Sequence, residues 1–268
     1  MRLWSVLIVL VAGFALPQAK AASDEDPAAI RQAILDYAEG YYGHAPERME
    51  RAVSPLLNKR GLNLRPGVAI LQQNAEMLID ACRGNAPRPG PADRKMTVEV
   101  LDVQSEVASG RVFSVQFNDY IHLVKRSGRW QLVNVLWHQP PAAAGAPDAS
   151  AAALSVAGDF AAALAGTDGQ AVSRVLYPSA VVRQLAPGQD GGRIVRDMNP
   201  ETLVAMLSSG QPFLQAKPAD IKTTVLGVDG DLASAKIATS AYTWYLHLGQ
   251  IAGRWQVVNA LGYRTPAP

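Results

Sequence analysis

LDVQSEVASGRVFSVQFNDYIHLVKRSGRWQLVNVL, Leu101–Leu136, is written a second time, without a gap, as LGVDGDLASAKIATSAYTWYLHLGQIAGRWQVVNAL at Leu226–Leu261. The offset is 125 positions, and it sets Tyr120, His122 and Leu123 on Tyr245, His247 and Leu248. Gly128-Arg129-Trp130-Gln131 falls on Gly253-Arg254-Trp255-Gln256, and Asn134 falls on Asn259. Working outward, Asp36-Tyr37-Ala38 recurs as Asp159-Phe160-Ala161, Val53-Ser54-Pro55 as Leu176-Tyr177-Pro178, and Arg60 as Arg183, all at an offset of 123. Asn74-Ala75-Glu76 recurs as Asn199-Pro200-Glu201 at 125, so one two-residue length change aligns both halves. Solenoid repeats run to roughly 20–50 residues. A repeat this much longer predicts two complete domains, each with its own core.

Each half reads as helices followed by strands. Ile30, Ala33, Ile34, Tyr37, Ala38 and Tyr41 follow the i, i+3, i+4, i+7 rhythm of one helical face. Pro46 opens a short second helix, which Val53-Ser54-Pro55 breaks. Asn74 begins a third helix, with Leu78, Ile79 and Cys82 inward. Asn199 with Pro200 makes the same start in the second half, cap and first-turn proline together. From Lys95 the apolar period shortens toward two, as half-buried strands require. Ser109-Gly110 is read as a turn into a strand over Arg111–Phe117, Asn118-Asp119 as a hairpin turn or a bend, and Ser127-Gly128 as a hairpin turn before Trp130–Trp137. Helices first and an antiparallel meander after is the α+β order.

Composition bounds the class. Hydrophobic residues make up 49% and charged residues 18% of 268, enough apolar material for real cores. Arg2, the apolar run Leu3–Leu16 and Ala19-Lys20-Ala21 have the form of a cleavable export signal, so residues 1–21 are expected to be removed and the protein to be periplasmic or secreted. The run is shorter than the ~20 residues of a membrane span, so no stable membrane insertion is expected. Losing Arg2 and Lys20, and no acid, takes the balance from 25 basic against 23 acidic to 23 against 23. A neutral chain lacks the basic footprint of nucleic-acid binding. Cys82 is the only cysteine, so no internal disulfide forms and it reads as a small buried hydrophobe.

The strings Asp119-Tyr120-Ile121-His122-Leu123 and Gly128-Arg129-Trp130-Gln131-Leu132-Val133-Asn134, each with its second copy, resemble the nuclear transport factor 2-like fold, also called ketosteroid-isomerase-like or polyketide-cyclase-like. Within it they are most similar to the branch described as putative lumazine-binding. The resemblance covers nearly all of both halves. It implies two tandem cone-shaped domains of the α+β class, over residues 26–138 and 148–264. Each is a curved antiparallel sheet wrapped by about three helices with a pocket in its mouth, and a Pro/Ala linker at 139–147 joins them. It implies little about function, because that fold carries isomerases, dehydratases, cyclases, binders and assembly modules.

Candidate site residues follow from that pocket. Tyr120 and His122 are two apart and share a sheet face, as do Tyr245 and His247. They are read as ligand-binding residues or as the contact between domains. His122 titrates near neutrality when unperturbed and is the candidate acid or base. Asp119 is a second catalytic candidate, on the opposite face, and its counterpart is Trp244. Tyr37 and Tyr41 lie one turn apart on the first helix, aimed at the pocket, with Phe160 and Leu164 as counterparts. Trp130 and Trp255 are expected to bury their rings with the indole N–H on a carbonyl. Arg60 and Arg183 either bind an anion or pair with Asp36 and Asp159. No metal-ligand spacing, phosphate loop or nucleophile elbow appears, so no metal and no cofactor is expected. Two readings remain open. One is a non-enzymatic small-molecule binder or scaffold, for an apolar or aromatic ligand, with the two domains facing each other as a pseudo-dimer. The other is an isomerase, dehydratase or cyclase acting in the first domain, where Tyr37, Tyr41, Asp119 and His122 occur together.

Overall fold

The computed structural model describes residues 26–65, 67–140, 147–189 and 192–265. The expected export signal and most of the linker, residues 141–146, lie outside them. Helix α1 runs Asp26–Tyr42, α2 Pro46–Ala52 and α3 Ala75–Arg83. Strand β1 is Val53–Arg65, β2 Val68–Asn74, β3 Thr97–Gln104, β4 Val107–Phe113, β5 Asn118–Arg126 and β6 Arg129–His138. The second half repeats the order with α4 Ala149–Ala165, α5 Gly169–Val175, β7 Leu176–Pro187, β8 Arg193–Met198, α6 Pro200–Ser208, β9 Lys222–Asp229, β10 Leu232–Ala238, β11 Tyr242–Ile251 and β12 Arg254–Arg264. Each half forms one six-stranded sheet, ordered β2-β1-β6-β5-β4-β3 and β8-β7-β12-β11-β10-β9. All neighbours are antiparallel except β1 with β6 and β7 with β12. Among the described residues no helix is long and apolar enough to cross a membrane.

The helical boundaries follow the sequence. Asn74 and Asn199 cap α3 and α6, accepting from the amides of Met77 at 2.9 Å and Thr202 at 2.7 Å. The sequence reading gave no element between the break at Val53-Ser54-Pro55 and Asn74, and it misplaced one turn. Val53–Arg65 is a long strand that pairs with Val68–Asn74. It shows no alternation because both its faces are covered: its burial runs continuously from Leu57 to Leu62. The turn placed at Ser109-Gly110 lies four residues earlier, at Ser105-Glu106, where Ser105 takes φ 54°. Gly110 is mid-strand, and a Cβ on it would stand 2.6 Å from Ile34 Cδ1. The glycine there lets α1 cross close to the sheet. The chain reverses over Ser114–Phe117, and Asn118 and Asp119 already belong to β5.

One sheet face in each half carries the helices. In the first, Ile30, Ile34, Tyr37, Ala38, Met49 and Cys82 pack on Ile121, Leu123 and Val135. Cys82 is buried and free, as expected. The other faces meet. Val107, Val124 and Val133 of the first sheet form one apolar cluster with Leu185, Tyr245, Leu261 and Tyr263 of the second. Leu62, Tyr120 and Leu136 form another with Leu232, Ile251 and Val258. β5 is therefore buried on both sides over its first seven residues.

Candidate functional site

Alternation along β5 sorts the candidates into two places. Tyr120 and His122 point between the sheets; Asp119 points toward the helices. Ser109 and Ser234 meet at 3.1 Å, and the rings of His122 and His247 stack with centroids 3.5 Å apart. Both pairs are separated by the repeat offset, so each residue touches its own counterpart and marks a pseudo-twofold axis. All four are buried. Arg183 crosses the interface, donating to the Val133 carbonyl at 2.5 Å and to Asn134 Oδ1 at 2.9 Å. That fixes the Asn134 amide, whose nitrogen then faces His122 Nδ1 at 3.3 Å. Nδ1 accepts, and the imidazole proton sits on Nε2, which has no partner. Burial pushes His122 well below the ordinary histidine value, with His247 and Arg183 adding to the shift. Burial pushes His247 down to about 3. Both are neutral at pH 7, and neither lines the cavity of the first domain.

The other polar contacts of the interface are asymmetric. Tyr245 donates to Asp102 Oδ2, which also accepts from Lys236 Nζ at 2.7 Å. The counterpart of Asp102 is Gly227, where a Cβ would lie 2.8 Å from the Tyr120 hydroxyl, so Tyr120 has no carboxylate in the place Asp102 takes beside Tyr245. His138 bridges Asp229 at 2.7 Å and Asp231 at 2.9 Å. Burial pulls its pKa down, but the two carboxylates outweigh burial and raise it to about 9. Arg60 and Arg183 do not pair with Asp36 and Asp159. Arg60 donates to Asn58 and the Ser179 carbonyl, Arg183 to Asp197 as well as to the first sheet, and Asp36 takes Arg48 and Arg51. Both arginines face the opposite domain from their strands, Arg60 away from α1 and Arg183 away from α4. The Trp130 indole donates to Asp26 Oδ1 at 2.9 Å rather than to a carbonyl.

A cavity of about 360 Å³ opens on the helix side of the first sheet. Tyr37, Tyr41, Met49, Leu78, Phe117 and Trp137 supply most of its apolar wall, and Lys59 is its one charged lining residue. Lys59 reaches it from β1, Trp137 from β6, Tyr37 and Tyr41 from α1. Tyr37 donates to Asp119 Oδ2 at 2.5 Å; Lys59 Nζ donates to the same oxygen at 2.8 Å and to the Tyr37 hydroxyl. The ammonium also lies 4.4 Å from the Trp137 ring centre and 5.3 Å from that of Phe117. Burial lowers the Lys59 pKa against the opposing pull of Asp119, and burial, then Asp119, raises that of Tyr37 well above the usual phenol. Asp119 is fully buried behind Lys59 and is not part of the lining.

The second half lacks this arrangement. At its offsets Tyr37, Lys59 and Asp119 become Phe160, Val182 and Trp244, all fully buried and apolar. Asp119 pairs across the strands with Trp137, and Trp244 pairs with Gly262. The indole has thus moved from one strand to its neighbour. Trp244 fills the interior against Phe160 and Phe213, and a Cβ on Gly262 would stand 2.7 Å from its ring. Sequence reading singled out Tyr37, Tyr41 and Asp119, which the fold brings to one place, and placed His122 with them, which the fold does not. It missed Lys59. The signal was the concerted replacement of Lys59 by Val182 at the same offset that turns Tyr37 into Phe160.

The sequence pattern of the family described as "Putative lumazine-binding" matches residues 25–138 and again 148–263. The chain belongs to this family, in two tandem copies. Each putative lumazine-binding copy is an α+β unit of the nuclear transport factor 2-like kind with an open sheet. No curated protein matches the chain. Similar solved structures include a protein of this fold, of unknown function, from Shewanella baltica (21% identity, 46% of this chain and 100% of that one, TM-score 0.39). Another, from Silicibacter pomeroyi, shows 16% identity over 43% of this chain and 94% of its own, TM-score 0.35. A ketosteroid isomerase-like protein from Erwinia carotovora atroseptica shows 14% over 44% and 98%, TM-score 0.32.

Proposed function

We propose that this is an exported small-molecule binding protein in which the first domain holds the ligand and the second braces it. The observation that carries the reading is the Tyr37–Lys59–Asp119 group beside an open cavity, replaced as a set in the second half by the fully buried Phe160, Val182 and Trp244. The second half has a cavity elsewhere, between α4, α5 and β12, with none of that set in its wall. Burying an amine and a carboxylate is costly and is seldom favoured over apolar packing for stability alone. The second copy shows the apolar solution fits this fold. Keeping the polar set only beside the cavity is what ligand recognition requires. The family's description agrees with a small ligand, and the sequence of residues 1–21 supports export.

Native mass spectrometry of the protein recovered from the cell envelope tests this. One small molecule per chain is expected, lost in Ala81→Trp, which fills the cavity. Two per chain, or an occupant indifferent to that change, overturns the reading. An isomerase or cyclase in the same cavity is the second reading, favoured by the Tyr37–Asp119 bond. It must act without His122, which lies on the domain axis, and with Lys59 and Tyr37 as its polar groups.

A further inference from the structure

The unpartnered polar groups around the cavity say what kind of ligand it takes. Lys59 has three N–H donors, of which Tyr37 and Asp119 accept two. Its side chain is only 7% exposed, so among the described residues the third proton has the cavity as its outlet. The Trp137 indole N–H is buried without an acceptor. Arg88 lies 4.0 Å over the ring of Tyr41 and donates to the Ala81 carbonyl, and both of those residues line the cavity. Its Nε and Nη1 are buried without partners, and no carboxylate pairs with it among the described residues. Among the buried unpartnered atoms the acceptors are Gln116 Oε1 in the lining and Asp119 Oδ1 behind Lys59, so buried donors outnumber buried acceptors here. Lys59 is set against Asp119, and Arg88 adds a guanidinium beside the cavity with no carboxylate paired to it among the described residues.

The walls are flat rings: Tyr37, Tyr41, Phe117 and Trp137. Aromatic walls favour a planar apolar body, and the surplus donors favour an anionic oxygen on its edge. A purely apolar guest would leave an ammonium facing hydrocarbon, which carries a desolvation penalty. The volume is near the lower end of the roughly 300–1,000 Å³ of ligand pockets, enough for one or two fused rings.

We propose that the cavity takes a small planar aromatic acid, its anionic oxygen on Lys59 Nζ and its rings between Trp137, Phe117 and Tyr37. This rests on the binding reading above and narrows its ligand class from apolar or aromatic to aromatic and anionic.

The test is a matched set of probes on the full chain: 2-naphthoate, its neutral amide, and 2-naphthylmethylammonium. Affinity is read by tryptophan fluorescence and by thermal shift at pH 7. Naphthoate should bind at least tenfold tighter than the amide, and the ammonium should not bind. Raising salt should narrow the gap, and Arg88→Gln, which leaves the Lys59 group intact, should narrow it severalfold. Lys59→Met/Asp119→Asn, which removes both charges together and so protects the fold, should abolish the preference while still admitting the amide. If the amide or the ammonium binds as tightly as naphthoate, or if the preference survives both variants, the proposed ligand class is wrong but the first domain remains a receptor. If no probe of any charge binds while the folded chain retains a different occupant, the class is again wrong. If nothing binds and no occupant is found, both readings fall.

Discussion

At the residue scale the chain places its costliest groups where a use for them can be named. Lys59 and Asp119 are an ion pair almost wholly removed from water. Removing one partner strands the other, so Lys59→Met should cost about 3–5 kcal/mol in urea unfolding, while Lys59→Met/Asp119→Asn recovers much of it. A single variant no less stable than wild type would show that the pair is not buried as described. The axis histidines make the opposite kind of statement. Their folded-state pKa values are depressed, so the neutral stack contributes fully above pH 6.5 and the contribution is lost as pH falls from there toward about 3 for His247. Stability should drop by about 1.4 kcal/mol per pH unit per histidine between pH 6 and 5, measured as the urea midpoint. His122→Gln/His247→Gln should flatten that slope. His138 has a raised pKa, so its contribution is complete below about pH 6.5 and fades as pH rises through about 9. An alkaline loss in the same titration, absent in His138→Gln, checks it.

At the scale of elements, the two copies solve one packing problem in two ways. Asp119 with Trp137 and Trp244 with Gly262 are equivalent cross-strand pairs, and each pair supplies one indole. Asp119→Trp alone puts a second indole against Trp137 and should destabilise by about 1–3 kcal/mol or more through overpacking. Asp119→Trp/Trp137→Gly, with Lys59→Val and Tyr37→Phe, rebuilds the second copy's interior in the first. That quadruple variant should be more stable than the single one and should lose the cavity. Thermal unfolding and ligand titration on both proteins decide it. The same pairs explain which elements were legible. Helices bury one face, so their 3.6-residue period survives in the sequence. β1 and β5 bury both faces, one on the helices and one on the other sheet, and continuous burial erases the two-residue alternation that marks a strand.

At the scale of the molecule, the interface has the make-up of a domain core cut in two. Two apolar clusters draw residues from both sheets, and buried hydrogen bonds run between them. Such a surface does not open freely to water. A protease site introduced between residues 139 and 147 should therefore leave two fragments that co-elute in size exclusion and unfold in one transition. Fragments that part on cutting would show that the linker, not the sheets, holds the domains together.

The sequence by itself determined the doubled α+β architecture, the three helices of the first half, the caps at Asn74 and Asn199, and the fact that the first copy keeps polar groups where the second has apolar ones. These are local or periodic properties, or comparisons of one half with the other, and a linear string carries them. Only the tertiary structure decided that His122 meets His247 on the axis while Asp119, its neighbour by three, turns to the cavity beside Lys59. The reason is geometric. A strand fixes which residues share a face, but what that face lies against is set by strands and helices distant in the chain.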